Sequence, residues 1–563
     1  MAAVHRRMRQ ATVHHRCLVL SGVLTNGEKI MRGGDKEFSL AAAATSPQPG
    51  TPRSNRCQLT MNAVKTVLFL SIVVGSATST NAFLHPSSAI LATIATTTIV
   101  SRKKTRASTT AASSTTTKDN DDDVGSTLAS ASFNLIKGAV GSGVLSLPAG
   151  VAAYGDVRKA LIPTTSILLL LGTISAYTFH LLGRLTAIVD DERSKKKDGS
   201  SSTSVTSIGQ LWDHEVGTSS SWLISLVVLI TCYGTCLAYS IILGDTFKSL
   251  AETAGLSGLL STRRFNVAAI SLLGVYPMAR LKSLEALAPA SISGVVGILV
   301  TCIVMALRAM PGGAYSAGRA TNYLASLAPG LRPSHGVTGL RGPKSLLVIS
   351  SMLATAFLVH MSSPEFYQTL KDKSPARFAK LSTIGFVCTA GISALMMILG
   401  FLTFGGASKG MILNNYSTLD SGATICRLLM GVSLLGSYGF LSNAVRNAYY
   451  QISYKGKEIT DAIHYRTSRL LVGSVTALAL LMNDAGFVVS VNGAVLGSAL
   501  IYIIPAFLFL KSTERRVAEG ALKVSSLLRI ERWWNRGLIS LGAFLALAGA
   551  WMSVVNSFFP HLL

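Results

Sequence analysis

Eleven apolar runs, most of them close in length to the hydrocarbon core of a bilayer, constrain this chain more than any other feature of its sequence. They fall at roughly 129 to 153, 160 to 189, 222 to 250, 265 to 280, 284 to 307, 345 to 370, 380 to 404, 422 to 453, 467 to 483, 485 to 510 and 537 to 558. A helix rising about 1.5 Å per residue needs about 20 residues to cross about 30 Å of hydrocarbon. No water is available there, so the backbone must satisfy itself within the helix. The expected fold class is therefore an all-α membrane protein with about eleven transmembrane helices.

Composition supports this reading, since 49% of the residues are hydrophobic and only 14% are charged. The net charge of +25 invites a nucleic-acid partner. Its bases, however, lie in turns between apolar runs and are not interleaved with aromatics, so no nucleic-acid partner is expected. Orientation explains them instead. With the first run starting in the cytosol, the even-numbered turns carry most of the Lys and Arg, among them Arg184, Lys371, Lys373, Arg446, Arg466, Lys511, Arg515 and Arg529. Such bias places the amino terminus on the cytosolic side or its equivalent.

Residues 1–60 are basic, polar and aperiodic, and read as a disordered or mis-assigned leader. Met61, Lys65, the apolar stretch from Val67 to Ala77 and the junction Asn81-Ala82-Phe83 have the layout of a signal peptide. The Ser/Thr-rich, basic segment after it is transit-like, and 61–126 resembles the two-part presequence of algae with complex plastids. An extra anchor helix or a disordered tail would fit the same residues. Plastid envelope, vacuole or other endomembrane, and plasma membrane all remain open as destinations. The seven cysteines imply no disulfide framework, five of them falling inside expected spans.

The first run reads SFNLIKGAVGSGVLSLPAG, and Gly138, Gly141, Gly143 and Pro148 are too many helix breakers for a continuous span. The sixth, TAFLVHMSSPEFYQTLKD, is interrupted near Ser362, Ser363 and Pro364. Two broken spans, five apart, point to an inverted repeat with a binding site near the midplane. Helix amino-terminal ends there suit a carboxylate, while carbonyls and carboxyl-terminal ends suit an ammonium or a cation. A zwitterion uses both. The 309–343 connection, rich in Gly and Pro, is expected to be a mobile outer loop, and Asn415-Tyr416-Ser417 on that face is a weak glycosylation sequon.

Four segments resemble the amino acid/auxin permease family: FNLIKGAVGSGVLSLPAG, AYSIILGDTF, HMSSPEFYQTLKD and NGAVLGSALIYIIPAFLFLK. Together they span roughly 127 to 563. The resemblance implies eleven spans, a five-plus-five inverted repeat with interrupted first and sixth helices, and secondary active transport of amino acids. It places the substrate-binding backbone at Gly141, Ser142 and Gly143, with Ser362, Ser363 and Tyr367 as the sixth-span surface. Lys137 stands where sodium-coupled members tend to have Asn. Ser437 matches a hydroxyl used for sodium in some relatives, Arg446 matches a frequent arginine, and Gly439 departs from a family proline.

Charged groups inside spans are costly and call for a reason. For Asp245, Glu285 and Arg427 that reason is a nearby interface reached by snorkelling. Lys137, beside the break, is read as taking the place of a sodium ion, so the expected coupling ion is a proton and transport is sodium-independent. His360 could carry that proton, or could be a hydrogen-bonded packing residue. The expected partners are thus a small amino acid, the coupling ion and membrane lipid, with no cofactor and no metal. The spans contain no His-x-x-x-His, paired-carboxylate or Walker arrangement, which argues against an enzyme or an ATP-driven pump. A sodium-coupled symporter and a membrane amino-acid sensor that moves little cargo remain as alternatives.

Overall fold

The computed structural model describes residues 126–195, 204–281, 288–315, 322–454 and 458–559. The leader and presequence at 1–125, and Glu285, lie outside the described residues.

Helices occupy all the expected spans. The first span is split into α1 (Leu128–Ala139) and α2 (Ser142–Tyr154), and the second is α3 (Leu161–Lys195). A short helix, α4 (Ile208–Glu215), precedes the third span, α5 (Ser221–Thr253). In the fourth, α6 (Arg263–Ile270) passes through a π turn into α7 (Tyr276–Ala279), and the fifth is α8 (Ala288–Ala309). The sixth is again split, into α9 (Leu346–Ala356) and α10 (Ser363–Thr369). The seventh to ninth are α11 (Pro375–Phe404), α12 (Ser421–Ser453) and α13 (Asp461–Leu481). The tenth runs from α14 (Ala485–Asn492) through two π turns into α15 (Ile504–Ala518), and the last is α16 (Ser526–Phe558). Seven of these stretches are long and apolar enough to cross a membrane alone, and the bent first pair makes an eighth. The fourth, fifth and ninth spans complete the eleven. Broken helices at the first and sixth positions are the layout of two five-span repeats.

Several helices extend past the apolar runs that announce them. The eleventh begins at Ser526, where the Ser525 side chain caps the Leu528 N–H, although its apolar run starts near 537. The ninth begins at Asp461, with Thr460 capping Ile463. Hydropathy reports only the part of a helix that needs hydrocarbon, whereas caps fix where winding starts.

The outer connection is anchored rather than mobile over its described part. The Asp156 carboxylate, just beyond α2, accepts the N–H groups of Val337, Thr338 and Gly339 at 2.7, 2.8 and 2.8 Å. The Arg341 N–H donates to the Tyr154 carbonyl, and Ser334 exchanges backbone bonds with Phe404 and Gly406. Burial alone would raise the Asp156 carboxyl, but those N–H groups hold it below the usual carboxylate range. The sequon is equally fixed. Asn415 is fully buried, donating to the Ala407 carbonyl and accepting from the Lys409 N–H, so it offers no amide for a glycan.

The face expected to be cytosolic is tied by charge. Arg515, at the end of α15, bonds Glu192 on α3 at 2.7 Å and Glu215 on α4 at 3.0 Å. Burial would raise the Glu215 carboxyl, yet hydrogen bonds from His214 and Arg515 hold it at about 2. A further backbone bridge joins the two broken helices here: the Ser126 N–H donates to Thr369 and the Lys371 N–H donates to Ser126, at 2.8 and 3.0 Å.

Candidate functional site

The first span loses its winding at Val140 and Gly141, where ψ leaves the helical region, and the axes of its halves diverge by 51°. Pro148 does not make the break. It sits inside α2 with its ring against Gly400 of the seventh span, where any larger residue would collide with it. Its missing N–H leaves the Val144 carbonyl without a helical donor.

In the sixth span the break falls at Phe357 to Val359, a few residues ahead of the Ser-Ser-Pro expected to cause it. Pro364 occupies the first turn of α10, a place where its lack of an N–H costs nothing. Ser362, Ser363 and Pro364 therefore start a helix instead of ending one.

The two breaks abut. A side chain at Gly143 would meet the Ala356 backbone nitrogen at 3.1 Å, and one at Gly138 would meet Val359 at 3.3 Å. From the third span, the Tyr239 hydroxyl stands 2.7 Å from where a Gly141 Cβ would be. Gly141, at the N-cap of α2, has no side chain with which to cap the first N–H groups of that helix. The Thr355 hydroxyl donates to the Val489 carbonyl at 2.7 Å, tying α9 to the tenth span. Only glycine fits at 493, whose Cβ position coincides with atoms of Ser351 and Thr355. The arrangement presents bare peptide groups, one tyrosine hydroxyl and small apolar side chains.

Of the expected site residues, the structure gathers Gly141, Gly143 and the backbone of Ser142 at this junction. Ser363 and Tyr367 lie elsewhere: the Ser363 hydroxyl donates to the Phe179 carbonyl at 2.9 Å, and the buried Tyr367 ring packs edge-on against Phe378. Ser362 is half-buried, its N–H held by Val359. His360 is fully buried, its Nε2 within 3.0 Å of both the Ser175 carbonyl and the Thr178 hydroxyl, its ring edge-on to Phe179 and Phe386. That is the environment of a packing residue.

Lys137 reaches the other way. Its ammonium lies 5.1 Å from the Phe440 ring of the eighth span, and its stem borders Gly294 of the fifth beside Ser433. Ser437, half-buried, lies between Ser433 and Phe440 along α12, which runs unbroken through Gly439. Arg446 is buried and caps the fourth span, donating to the carbonyls of Ala279 and Leu281. Asp245 pairs with Arg263 at 2.8 Å. Arg427 does not snorkel: its buried guanidinium donates to the carbonyls of Leu413, Tyr416 and Ser417.

Sequence reasoning missed Tyr239, Thr355 and the Phe357 to Val359 break. Tyr239 does fall in the third-span segment quoted above, but an aromatic within an apolar run carries no local signal of its position. A cavity of about 490 Å³ lies on the side of the 309–343 connection, bordered by Arg341, Ala149 and Ala152 of α2, Val348 and Met352 of α9, and Lys409 and Asp484.

The sequence profile of the transmembrane amino acid transporter protein family matches residues 124–554. The chain belongs to that family. Sodium-coupled neutral amino acid transporter 7 of Mus musculus is 24% identical over 461 residues, covering 78% of this chain and 89% of the relative. The same transporter of Rattus norvegicus matches with the same identity and shares. Among solved structures, the crystal structure of MhsT in complex with L-phenylalanine gives a TM-score of 0.45 at 13% identity, over 74% of this chain and 98% of that one. Family membership makes the chain a multi-pass membrane transporter of amino acids and not an enzyme.

Proposed function

We propose that this transporter carries neutral amino acids by alternating access, holding the zwitterion on the peptide groups of the two breaks. The observation that carries the reading is the direct contact of Gly143 with Ala356, with Tyr239 over Gly141. At this junction a carboxylate would take the first N–H groups of α2, and an ammonium would take carbonyls freed where α9 ends. The groups that meet the three glycines of the first break, Val359, Tyr239, Ala356 and Thr355, are uncharged, which favours a neutral side chain. Gly141, Ser142 and Gly143 hold the cargo, with Ser362, Ser363 and Tyr367 shaping the sixth-span wall from behind.

Coupling is to a proton. Lys137, directed between the fifth and eighth spans near Ser433 and Ser437, supplies the fixed positive charge that a sodium ion would otherwise bring, and His360 supports the fold of the sixth span. The sodium-coupled relatives favour a second reading, sodium symport, in which Ser437 would be a ligand. Uptake of radiolabelled neutral amino acids into proteoliposomes, under an inward proton gradient, decides between them. The proposal expects uptake unchanged when potassium replaces sodium; uptake that vanishes on that replacement establishes the sodium reading.

A further inference from the structure

The start of the eleventh span sorts its charges by direction. Glu531, on the inward side, is bonded by Arg184 at 2.6 Å, and the half-buried Arg532 lies 3.9 Å from Glu514. Arg529 and Arg536 point outward, are exposed, and have no carboxylate partner among the described residues. They flank Trp533, at the preceding and following turns of the same helix face. Trp533 is 70% exposed, and the Arg536 guanidinium stacks on its ring at 5.1 Å. Beside them Leu527, Ile530 and Trp534 are exposed too, and Gly537 leaves open space next to Arg536.

Depth gives this patch its meaning. The apolar part of the helix, from Leu538 to Phe558, is about 31 Å long at 1.5 Å per residue, which fills the hydrocarbon core. Arg536 then stands at its inner boundary. Arg529, seven residues earlier, stands about 10 Å farther out, within the headgroup layer. Exposed tryptophans belong at that level, and cations there face the more negative leaflet. The protein neutralises every inward charge of this turn and leaves the two lipid-facing ones open.

The geometry points to a binding surface for an anionic phospholipid, its phosphate held between Arg529 and Arg536 beside Trp533 and its acyl chain running from the notch at Gly537 along the apolar part of the helix. The occupant is a lipid because the cations are joined to an apolar stripe continuing through Phe544 and Leu547, both well exposed. A free phosphate would gain nothing from that stripe.

The test uses the full chain in phosphatidylcholine vesicles doped with equal small amounts of brominated phosphatidylglycerol or brominated phosphatidylcholine. The signal is the quenched fluorescence lost in the W533F/W534F variant, which isolates these two indoles. The expected result is quenching roughly twofold or more stronger by the anionic lipid, falling to the neutral-lipid level in R529Q/R536Q. Glycerol 3-phosphate in the buffer should leave it unchanged. Equal quenching by the two lipids, a preference that survives R529Q/R536Q, or displacement by the soluble phosphate would each overturn the assignment.

Discussion

Gly143 faces the Ala356 backbone at a distance where any Cβ presses on main chain that cannot rotate away. Gly143→Val should therefore cut amino acid uptake more than tenfold, because a branched side chain would force the two breaks apart at a cost of about 1–3 kcal/mol. Uptake normalised to the amount of inserted, monodisperse protein checks this, and normal uptake would place the site elsewhere. Glycine was the residue whose role could be read in advance, since only a bare backbone tolerates such an approach. The sixth-span break could not be read the same way. Phe357, Leu358 and Val359 carry no breaker, and winding stops there because Thr355 is held to the tenth span and His360 to the second. Ser362, Ser363 and Pro364 look like breakers but make a good helix start. Likewise, nothing local distinguishes an arginine that snorkels from one that, like Arg427, finds three carbonyls in a loop.

At the level of elements, the eleven runs were legible because hydrocarbon imposes length and apolarity on every span. Connections are under no such constraint. The outer segment reads as mobile from its Gly and Pro content, yet one carboxylate that follows the first span gathers three of its N–H groups. Asp156→Asn should weaken these charge-assisted bonds, each worth about 1.5–3 kcal/mol, and speed amide exchange at Val337 to Gly339 by about tenfold or more. Acid should act in the same direction. The folded carboxyl is held below its ordinary value, so the clamp is fully present above about pH 4 and is lost as pH falls through the lowered value. Exchange rates at those amides that are flat from neutral pH down to about 3, after correction for the intrinsic rate, would show that Asp156 does not carry the clamp.

Across the whole molecule, the bonds around Arg515 and the cavity beside the 309–343 connection are what the proposed alternating-access cycle expects of an arrangement closed on the inner side and open on the outer. The Ser126 bridge to Thr369 and Lys371 closes the inner ends of α1 and α10, and Arg515 adds its pairs to Glu192 and Glu215. Outside, the cavity borders the outer halves of the same two broken spans. On the proposed cycle, reversing access requires those bonds to open while α2 and α9 keep their grip on cargo. That grip is the central claim, and amide hydrogen exchange reads it at the peptide groups themselves. Saturating neutral amino acid should slow exchange at Ser142 to Val144 and at Phe357 to Val359 together, while amides of the unbroken eighth span stay unchanged. Exchange that is the same with and without amino acid at both breaks, in a preparation that transports it, would contradict the account.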